Sequence, residues 1–213
     1  MEVRMAEVNG AKKVGMSLPV MEDFYTIQGE GAFQGHAAYF IRLGGCEVKC
    51  VWCDVKDSWD VNAHPHLPVE DLANRAKASG SPVVVVTGGE PTMHDLGPLT
   101  AELRRQGLRT HIESSGAYPL TGEWDWVCFS PKKFKAPHPG FAQHANELKV
   151  VVFHKTDLQW AEEYAAKVAP GCELYLQPEW SREKEMLPLI VEYVKQNPRW
   201  KISLQIHKYM DIP

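Results

Sequence analysis

The amino-acid sequence predicts an α/β fold, in particular an open, partial βα barrel that resembles part of a triosephosphate isomerase (TIM) barrel. Short apolar runs alternate with longer amphipathic runs along most of the chain. This alternation is typical of right-handed βαβ units that share a parallel sheet. The chain has 213 residues, whereas a complete eight-stranded barrel typically needs about 250. A partial barrel is compatible with both observations.

The candidate elements begin near residue 37. Seven apolar runs are predicted as strands, at residues 38–43, 83–87, 110–113, 126–130, 148–153, 174–177 and 202–205. Four amphipathic stretches between them are predicted as helices, at residues 69–78, 96–106, 158–168 and 183–196. Because seven strands are too few for a complete barrel, we expect the sheet to remain open.

The domain organisation is predicted to be simple. Residues 1–20 are mixed in composition and weakly patterned, so we interpret them as an N-terminal appendage. Residues 21–213 contain no linker and no low-complexity tract. They are therefore predicted to form a single domain, a size that can bury a sizeable core.

Composition and charge argue against several functional classes. The formal net charge of −4 argues against generic nucleic-acid binding, which usually needs a basic surface. No apolar run approaches membrane-spanning length, and the N-terminus lacks the apolar core of a secretion signal. Five cysteines, of which three are clustered, suit a reducing cytoplasm better than a disulfide framework. We expect a cytoplasmic protein that binds neither nucleic acid nor membrane.

The clustered cysteines are the most informative feature. Cys46, Cys50 and Cys53 form a Cys-x3-Cys-x2-Cys run, and no fourth cysteine is close in sequence. One short loop can thus offer three thiolates to one metal centre. On a cubic iron–sulfur cluster, three thiolates bind three irons and leave the last iron open. The spacing therefore indicates chemistry at an open iron rather than electron storage alone.

A structural zinc site is the alternative interpretation of these cysteines. Zinc usually takes four closed ligands, commonly two Cys-x2-Cys pairs or cysteines together with histidines. His64 or His66 could complete such a tetrahedron. The composition leaves this interpretation open.

Polar residues follow several of the predicted strands. Gly88, Gly89 and Glu90 come directly after the second predicted strand. Two glycines allow the backbone to approach a ligand closely, and the carboxylate can accept a hydrogen bond from an ammonium group. The later strands are followed by Glu-Ser-Ser-Gly at 113–116, Ser-Pro-Lys at 130–132 and Gln-Pro at 177–178. Turns and caps explain such residues equally well one at a time, but together they fall where a parallel barrel has its active site.

The cysteine run, with the aromatic Trp52 before its last cysteine, resembles the radical S-adenosylmethionine (SAM) superfamily. In that superfamily the open iron binds the amino and carboxylate groups of SAM, and the cluster loop follows the first barrel strand. Cys46 likewise follows the predicted strand at 38–43. Residues 87–91 resemble the segment that holds the SAM amino group.

Further motifs narrow the resemblance to one family. Residues 24–31 read Phe-Tyr-Thr-Ile-Gln-Gly-Glu-Gly, residues 40–46 read Phe-Ile-Arg-Leu-Gly-Gly-Cys, and the chain finishes with Ser-Leu-Gln-Ile-His-Lys-Tyr-Met-Asp-Ile-Pro. Together with Trp-Cys-Asp, Thr-Gly-Gly-Glu-Pro, Glu-Ser-Ser-Gly and Ser-Pro-Lys, their order and spacing resemble the 7-carboxy-7-deazaguanine synthase family. The resemblance extends from about residue 21 to residue 213.

The resemblance implies a specific reaction. The family are carbon–nitrogen lyases that convert 6-carboxy-5,6,7,8-tetrahydropterin into 7-carboxy-7-deazaguanine with loss of ammonia, in the biosynthesis of queuosine and related deazapurines. It implies a [4Fe-4S] cluster and SAM as cofactors, a reducing electron donor such as flavodoxin, and a homodimer. The cofactors supply the radical chemistry, and the protein orients the reacting atoms and excludes water.

The resemblance also implies the roles of individual residues. Cys46, Cys50 and Cys53 match the cluster ligands. The positions that match the SAM site are Trp52, Gly88, Gly89, Glu90, Ser130, Lys132 and Gln177. The positions that match the substrate site are Ile27, Gln28, Gly29, Glu30, Arg42, Thr87, His207 and Pro213, the last through its terminal carboxylate. No side chain is expected to be catalytic beyond the cluster and SAM.

One position departs from the family. The family commonly carries Thr after Cys-Asp, and its hydroxyl binds Mg²⁺ beside the substrate, whereas this chain has Val55. Magnesium prefers hard oxygen ligands, and a valine side chain has none. We therefore expect weakened metal assistance. Asp57 and Ser58 carry nearby oxygens, but the sequence does not place them in the site.

Two other functions remain as alternatives. A radical SAM activating enzyme would abstract hydrogen from a partner protein, but it would not explain Gln28, Arg42 or the segment 207–213. A non-catalytic zinc module would explain the cysteines alone.

Overall fold

The computed structural model describes residues 16–213. The strands are β1 (Ser17–Ile27), β2 (Ala37–Leu43), β3 (His66–Pro68), β4 (Val83–Gly88), β5 (Arg109–Ser114), β6 (Trp126–Phe129), β7 (Glu147–Val152), β8 (Glu173–Pro178) and β9 (Trp200–Ile202). The α-helices are α1 (Val69–Ala78), α2 (Gly97–Arg105), α3 (Asp157–Ala165), α4 (Glu183–Gln196) and α5 (Ile206–Met210). All nine of these strands belong to one sheet.

The sheet confirms the predicted open, partial barrel. Its strand order is β3-β1-β2-β4-β5-β6-β7-β8-β9. β2 pairs in parallel with β4, and each later strand pairs in parallel with the next. Six of the seven predicted strands and all four predicted helices are present, and the predicted strand at 202–205 meets β9 only at Ile202. The pattern did not predict the antiparallel strands β1 and β3 or the helix α5. Among the residues described, no helix is both long and apolar enough to cross a membrane.

The start of the domain lies earlier than residue 20. β1 begins at Ser17 and pairs with both β2 and β3. Leu18 and Val20 are buried in the main core. Residues 17–20 therefore belong to the sheet rather than to the predicted appendage, whose first fifteen residues lie outside the described part of the chain.

The last predicted strand also differs from the structure. β9 ends at Ile202, and α5 follows close behind it. The hydroxyl of the buried Ser203 donates to Gln177 Oε1 at 2.7 Å and accepts from the Gly31 N–H at 2.9 Å. The Ser203 N–H still donates to the Leu176 carbonyl of β8 at 3.0 Å, and Gln205 then lines the cavity instead of extending the strand.

The alternation of β2 shows how the sheet separates core from cavity. Ile41 and Leu43 are fully buried in the apolar layer between sheet and helices. Phe40 and Arg42 project to the opposite, concave face, because successive strand residues point to opposite sides. The concave face can therefore carry polar side chains without interrupting the core.

The amino ends of the strands are closed by aromatic residues on the concave side. Phe33, in a short 3₁₀ turn after β1, packs on His111 with ring centroids 4.5 Å apart and on Trp126 at 4.9 Å. Glu147 accepts from Trp126 Nε1 at 3.1 Å and from the Ala32 N–H at 3.1 Å. Burial lowers the pKa of His111 to about 4, so its ring is neutral at physiological pH.

The neutral His111 predicts a pH-dependent stability. Its folded pKa of about 4 lies below the ordinary value, so between these two values the unfolded chain binds a proton that the folded chain does not. The free energy of unfolding should therefore fall as the pH decreases through this window, by about 3 kcal/mol from this residue. We expect His111→Phe to flatten the fall in urea-unfolding series. The exposed His144→Asn serves as control, and wild-type and His111→Phe profiles that remain parallel would contradict the prediction.

Candidate functional site

A cavity of about 440 Å³ opens at the carboxyl ends of the parallel strands. Every residue that the sequence assigned to a site lines it. The cluster positions are Cys46, Cys50 and Cys53; the SAM positions are Trp52, Gly88, Gly89, Glu90, Ser130, Lys132 and Gln177; the substrate positions are Ile27, Gln28, Gly29, Glu30, Arg42, Thr87, His207 and Pro213. The structure thus brings together residues that are far apart in the chain, while their individual roles stay predictions.

The three cysteines lie on the loop that follows β2. Cys46 and Cys50 are buried and Cys53 is half-buried. The loop is held by the Cys46 N–H, which donates to the Trp59 carbonyl at 3.1 Å, and by the Cys53 N–H, which donates to the Cys50 carbonyl at 3.0 Å. Lys49 adopts a left-handed backbone conformation with φ of 51° and turns the loop between the first two cysteines.

Without a bound metal centre, the electrostatics of this loop favour protonated cysteine thiols over thiolates. Burial raises the pKa of Cys46, and it raises the pKa of Cys50 to about 11 although the Lys132 ammonium opposes the change. Metal binding needs thiolates, and a metal centre supplies the positive charge that stabilises them. The loop is therefore suited to bind a metal centre rather than to expose a reactive thiolate.

The surroundings fit the predicted cubic cluster. The cysteines pack with Val48, Trp52, Trp59 and Ala117 into an apolar patch that limits solvent access. Within residues 16–213, no three His, Cys, Asp or Glu side chains lie close enough to hold a single ion, whereas a cubic cluster takes its thiolates on three different irons. The indole Nε1 of Trp59 is buried in this patch without a hydrogen-bond partner.

The histidines considered for zinc point elsewhere. His64 Nε2 lies 2.9 Å from the Asp57 carbonyl oxygen. His66 Nδ1 lies 3.5 Å from Ser17 Oγ, at the edge where β3 pairs with β1. Their positions support the cluster interpretation over a Cys–His zinc site.

The Gly88–Gly89 turn packs directly on the loop that leads to the cysteines. A Cβ atom on Gly88 would lie 2.3 Å from the Leu43 carbonyl oxygen, and the Gly88 φ of +137° also disfavours a side chain. A Cβ on Gly89 would lie 2.2 Å from the Gly45 carbonyl oxygen. The two glycines are therefore needed for the backbone crossing that sets this turn beside the cysteine loop.

Glu90 is buried and joins this turn to the end of β5. One carboxylate oxygen accepts from the Thr92 N–H at 3.1 Å, from Thr92 Oγ1 at 2.6 Å and from Ser114 Oγ at 2.5 Å. The other accepts from the Ser115 N–H at 2.9 Å and from the Ser115 hydroxyl. Glu90 thus braces the cavity wall, and its predicted contact with an ammonium group remains a prediction.

The remaining predicted SAM positions come from β6 and β8. Lys132 Nζ donates to both the carbonyl and the hydroxyl of Ser130, each at 2.6 Å. Burial lowers the pKa of Lys132, although the nearby Cys50 opposes the change. Gln177 is buried, and its side-chain oxygen accepts from Ser203. These bonds fix polar groups on the wall facing the cysteines.

The part of the cavity away from the cysteines holds a buried charged network. Lys149 Nζ contacts Glu30 Oε2 at 2.5 Å and Glu113 Oε2 at 3.2 Å. Gln28 donates to Glu113 Oε1 at 2.8 Å, and Gln205 donates to Glu30 Oε1 at 2.8 Å. The Lys149 side chain is only 4% exposed. The network joins the end of β1 to β5, β7 and the segment before α5.

Its protonation states follow from this pairing. Burial alone would raise the pKa of Glu30, but the Lys149 charge and the hydrogen bonds from Lys149 and Gln205 lower it to about 2. Burial disfavours the Lys149 ammonium, yet the surrounding acidic groups, among them Glu113 and Glu30, hold its pKa well above the ordinary value. The Glu30 carboxylate therefore faces the Lys149 ammonium at neutral pH.

Sequence reasoning missed Glu113 and Lys149 as site residues. Glu113 stands in the Glu-Ser-Ser-Gly motif, and Lys149 interrupts an otherwise apolar run. The usable signal was alternation, because Glu147, Lys149 and Val151 share one face of β7. A polar pair on alternate positions of a strand bounded by apolar residues indicates a polar concave face.

The C-terminal segment covers the same region. The Ile206 N–H donates to the Gly29 carbonyl at 3.0 Å, and a Cβ on Gly29 would lie 2.1 Å from His207 Nδ1. Burial lowers the pKa of His207. The terminal residue Pro213 is held at the cavity by Thr26, whose hydroxyl donates to an oxygen of Pro213 at 3.2 Å. The last residues are thus part of the cavity wall.

The residues around Val55 do not fit a protein-ligated magnesium ion. Val55 lines the cavity without a side-chain oxygen. Asp54 Oδ2 accepts from Lys208 Nζ at 2.8 Å. The Ser58 hydroxyl is buried and donates to the Val55 carbonyl at 2.7 Å. Asp57 uses its carbonyl to contact His64. Asp57 and Ser58 do not line the cavity. The carboxylate of Asp54 does, but it is paired with Lys208.

Comparisons with known proteins agree with this geometry. The radical SAM superfamily model matches residues 40–127. A relative from Flavobacterium psychrophilum, named 7-carboxy-7-deazaguanine synthase, is 52% identical over 97% of this chain and 98% of its own length. A relative of the same name from a Synechocystis species is 49% identical over 92% of this chain and 94% of its own length.

A solved structure gives the same result for the fold. The crystal structure of QueE from Escherichia coli superimposes with a TM-score of 0.79 at 32% sequence identity, covering 89% of this chain and 94% of that one. The two sequence relatives and the solved structure each cover 89% or more of this chain. The chain belongs to the 7-carboxy-7-deazaguanine synthase family of the radical SAM superfamily.

Proposed function

We propose that the protein converts 6-carboxy-5,6,7,8-tetrahydropterin into 7-carboxy-7-deazaguanine with loss of ammonia, a step in queuosine and related deazapurine biosynthesis. The observation that carries this proposal is one cavity with two unlike halves. One half holds the three cysteines in an apolar patch, and the other holds the Lys149–Glu30–Glu113 network. This arrangement supports a radical-generating centre beside a polar pocket for a heterocycle.

In the cysteine half, Cys46, Cys50 and Cys53 would hold the [4Fe-4S] cluster, and the other predicted positions would hold SAM. The cofactors supply hydrogen-atom abstraction when bound. The Gly88–Gly89 turn packs on the backbone of the cysteine loop and would bring its own backbone close to the cofactors. Lys132 and Ser130 place polar groups on the opposite wall, where they would orient SAM. The apolar contacts of Trp52 and Val48 keep water from the reacting atoms.

In the polar half, the chain's residues match the groups of a carboxylated pterin. The pyrimidine edge of a pterin carries N–H groups, and the side chains of Glu30 and Glu113 can accept hydrogen bonds from them. Two acidic side chains beside the single Lys149 favour a substrate edge that is rich in hydrogen-bond donors. Arg42 Nε donates to Glu22 Oε1 at 2.6 Å, and the guanidinium lies over the Phe24 ring. This guanidinium suits the substrate carboxylate. His207, Thr87 and Pro213 complete the pocket.

The direct test is product formation. We expect the anaerobically reconstituted protein, given SAM, a reductant and 6-carboxytetrahydropterin, to form 7-carboxy-7-deazaguanine, measured by mass spectrometry. Cys50→Ala should abolish the product because the cluster loses a ligand, whereas Cys172→Ala, outside the cavity, should retain it. SAM cleavage without a deazapurine would contradict the substrate assignment and favour the activating-enzyme alternative. A colourless zinc protein would contradict both.

Magnesium is proposed to have a reduced role in this chain. The support is the absence of an oxygen on Val55 and the ion pair of Asp54 with Lys208. Lys208 brings a positive charge to the same part of the cavity. Any Mg²⁺ would depend on water, substrate and SAM oxygens for its coordination.

The magnesium proposal predicts a gain of response on restoring a hydroxyl. Val55→Thr should make the rate more responsive to added Mg²⁺, by about several-fold if one good oxygen ligand is gained. Val55→Ala, which removes methyl groups without adding an oxygen, is the matched control. Steady-state rates would be measured across a Mg²⁺ titration after chelator treatment. Identical dose responses for Val55→Thr and wild type would refute the proposal.

Three further features are proposed from the resemblance. These are a homodimer, a reducing donor such as flavodoxin, and a cytoplasmic location without nucleic-acid or membrane partners. The homodimer and the electron donor rest on the resemblance alone. The free thiols of the cysteine loop support a reducing compartment.

A further inference from the structure

Two buried side-chain atoms lack a hydrogen-bond partner within residues 16–213, His111 Nε2 and Trp59 Nε1. His111 lies among the rings of Phe33 and Trp126, away from the cavity, and its low pKa keeps it neutral in this apolar setting. Trp59 lines the cavity itself. Of the two residues, only the tryptophan lines the cavity, where a bound group can supply the partner.

The position of Trp59 relates it to the cysteines. It ends the 3₁₀ turn Lys56–Trp59 that follows the cysteine loop, and its carbonyl accepts from the Cys46 N–H at 3.1 Å. Its side chain packs in the same apolar patch as Cys46, Val48 and Cys50. The backbone hydrogen bond fixes the indole beside the first cysteine.

The chemistry of the indole restricts what the missing partner is. An indole nitrogen donates and never accepts, and a buried donor without a partner costs about 1–3 kcal/mol. The carboxylate of Glu90, which also borders this part of the cavity, already accepts from five donors. The acceptors that belong in the cysteine patch are the sulfurs of a bound cluster and its thiolates.

We propose that the Trp59 indole N–H donates a hydrogen bond to a sulfur of the cluster held by Cys46, Cys50 and Cys53, and thereby raises the reduction potential of the cluster. Hydrogen bonds to cluster sulfurs stabilise the more negatively charged reduced state, and they are a recognised determinant of cluster potential. Trp59 is thus a positioning and tuning residue rather than a catalytic one. The proposal rests on the cluster of the proposed function but not on the identity of the pterin.

The test compares Trp59→Phe with wild type in the reconstituted protein without SAM or substrate. Phe keeps an aromatic ring in the patch and removes the N–H donor together with part of the indole volume. We expect the equilibrium constant for one-electron reduction to fall about tenfold, which corresponds to 59 mV toward more negative potential. The midpoint would be measured by a redox titration monitored by electron paramagnetic resonance (EPR). Trp160→Phe, whose indole packs on Tyr164 outside the cavity, is the matched control and should not move the midpoint.

A second readout detects the donated proton itself. In wild type, electron–nuclear double resonance of the reduced cluster should show a strongly coupled proton that exchanges in D₂O, and Trp59→Phe should lose this signal. An unchanged midpoint and an unchanged signal would overturn the proposal. So would a variant with wild-type cluster properties but weakened SAM or pterin binding, because the acceptor would then be that ligand. A shifted midpoint in a protein that makes no deazapurine would retain this inference and reject the proposed function.

Discussion

The paired, buried ammonium of Lys149 is the interaction on which the polar half of the cavity depends. The Lys149 side chain is only 4% exposed and lies between Glu30 and Glu113. It therefore joins the end of β1 to β5 across the concave face. Charges removed from water are costly unless they are paired and hydrogen-bonded, and removing one partner of such a group typically costs about 3–5 kcal/mol. Gln28 and Gln205 supply the additional hydrogen bonds that such a group requires.

This network can exist because the strands separate two environments. Alternate residues of β2 and β7 face either the helices or the cavity, so a charged side chain on one face leaves the apolar layer on the other intact. The network also binds the C-terminal segment through Gln205, next to Gly29 and His207. The polar pocket, the terminal residues and the loop after β1 therefore form one unit, opposite the cysteines.

Much of the fold and of the site follows from local sequence. Periodicity alone predicts the parallel strands and helices, and the cysteine spacing locates the metal centre. What the sequence concealed depends on tertiary pairing. β1 carries the charged residues Glu22 and Asp23, which are typical of an exposed segment. Only the structure shows that they pair with Arg42 and Arg75. Lys149 reads as an interruption of a strand, because its two carboxylate partners are remote in sequence. Motifs assigned the cavity residues by resemblance, but only the structure shows which of them contact one another.

The most direct test of the Lys149 network is a double-mutant cycle on the free energy of unfolding, measured by anaerobic urea unfolding of the cluster-loaded protein. The variants are Lys149→Met, Glu30→Gln and the double variant. Because Lys149→Met alone leaves two buried carboxylates without their ammonium, we predict that the double variant is less destabilised than the sum of the singles, by about 1–3 kcal/mol. Single-variant effects that add within about 0.5 kcal/mol would show that the pair is not coupled and would contradict this account.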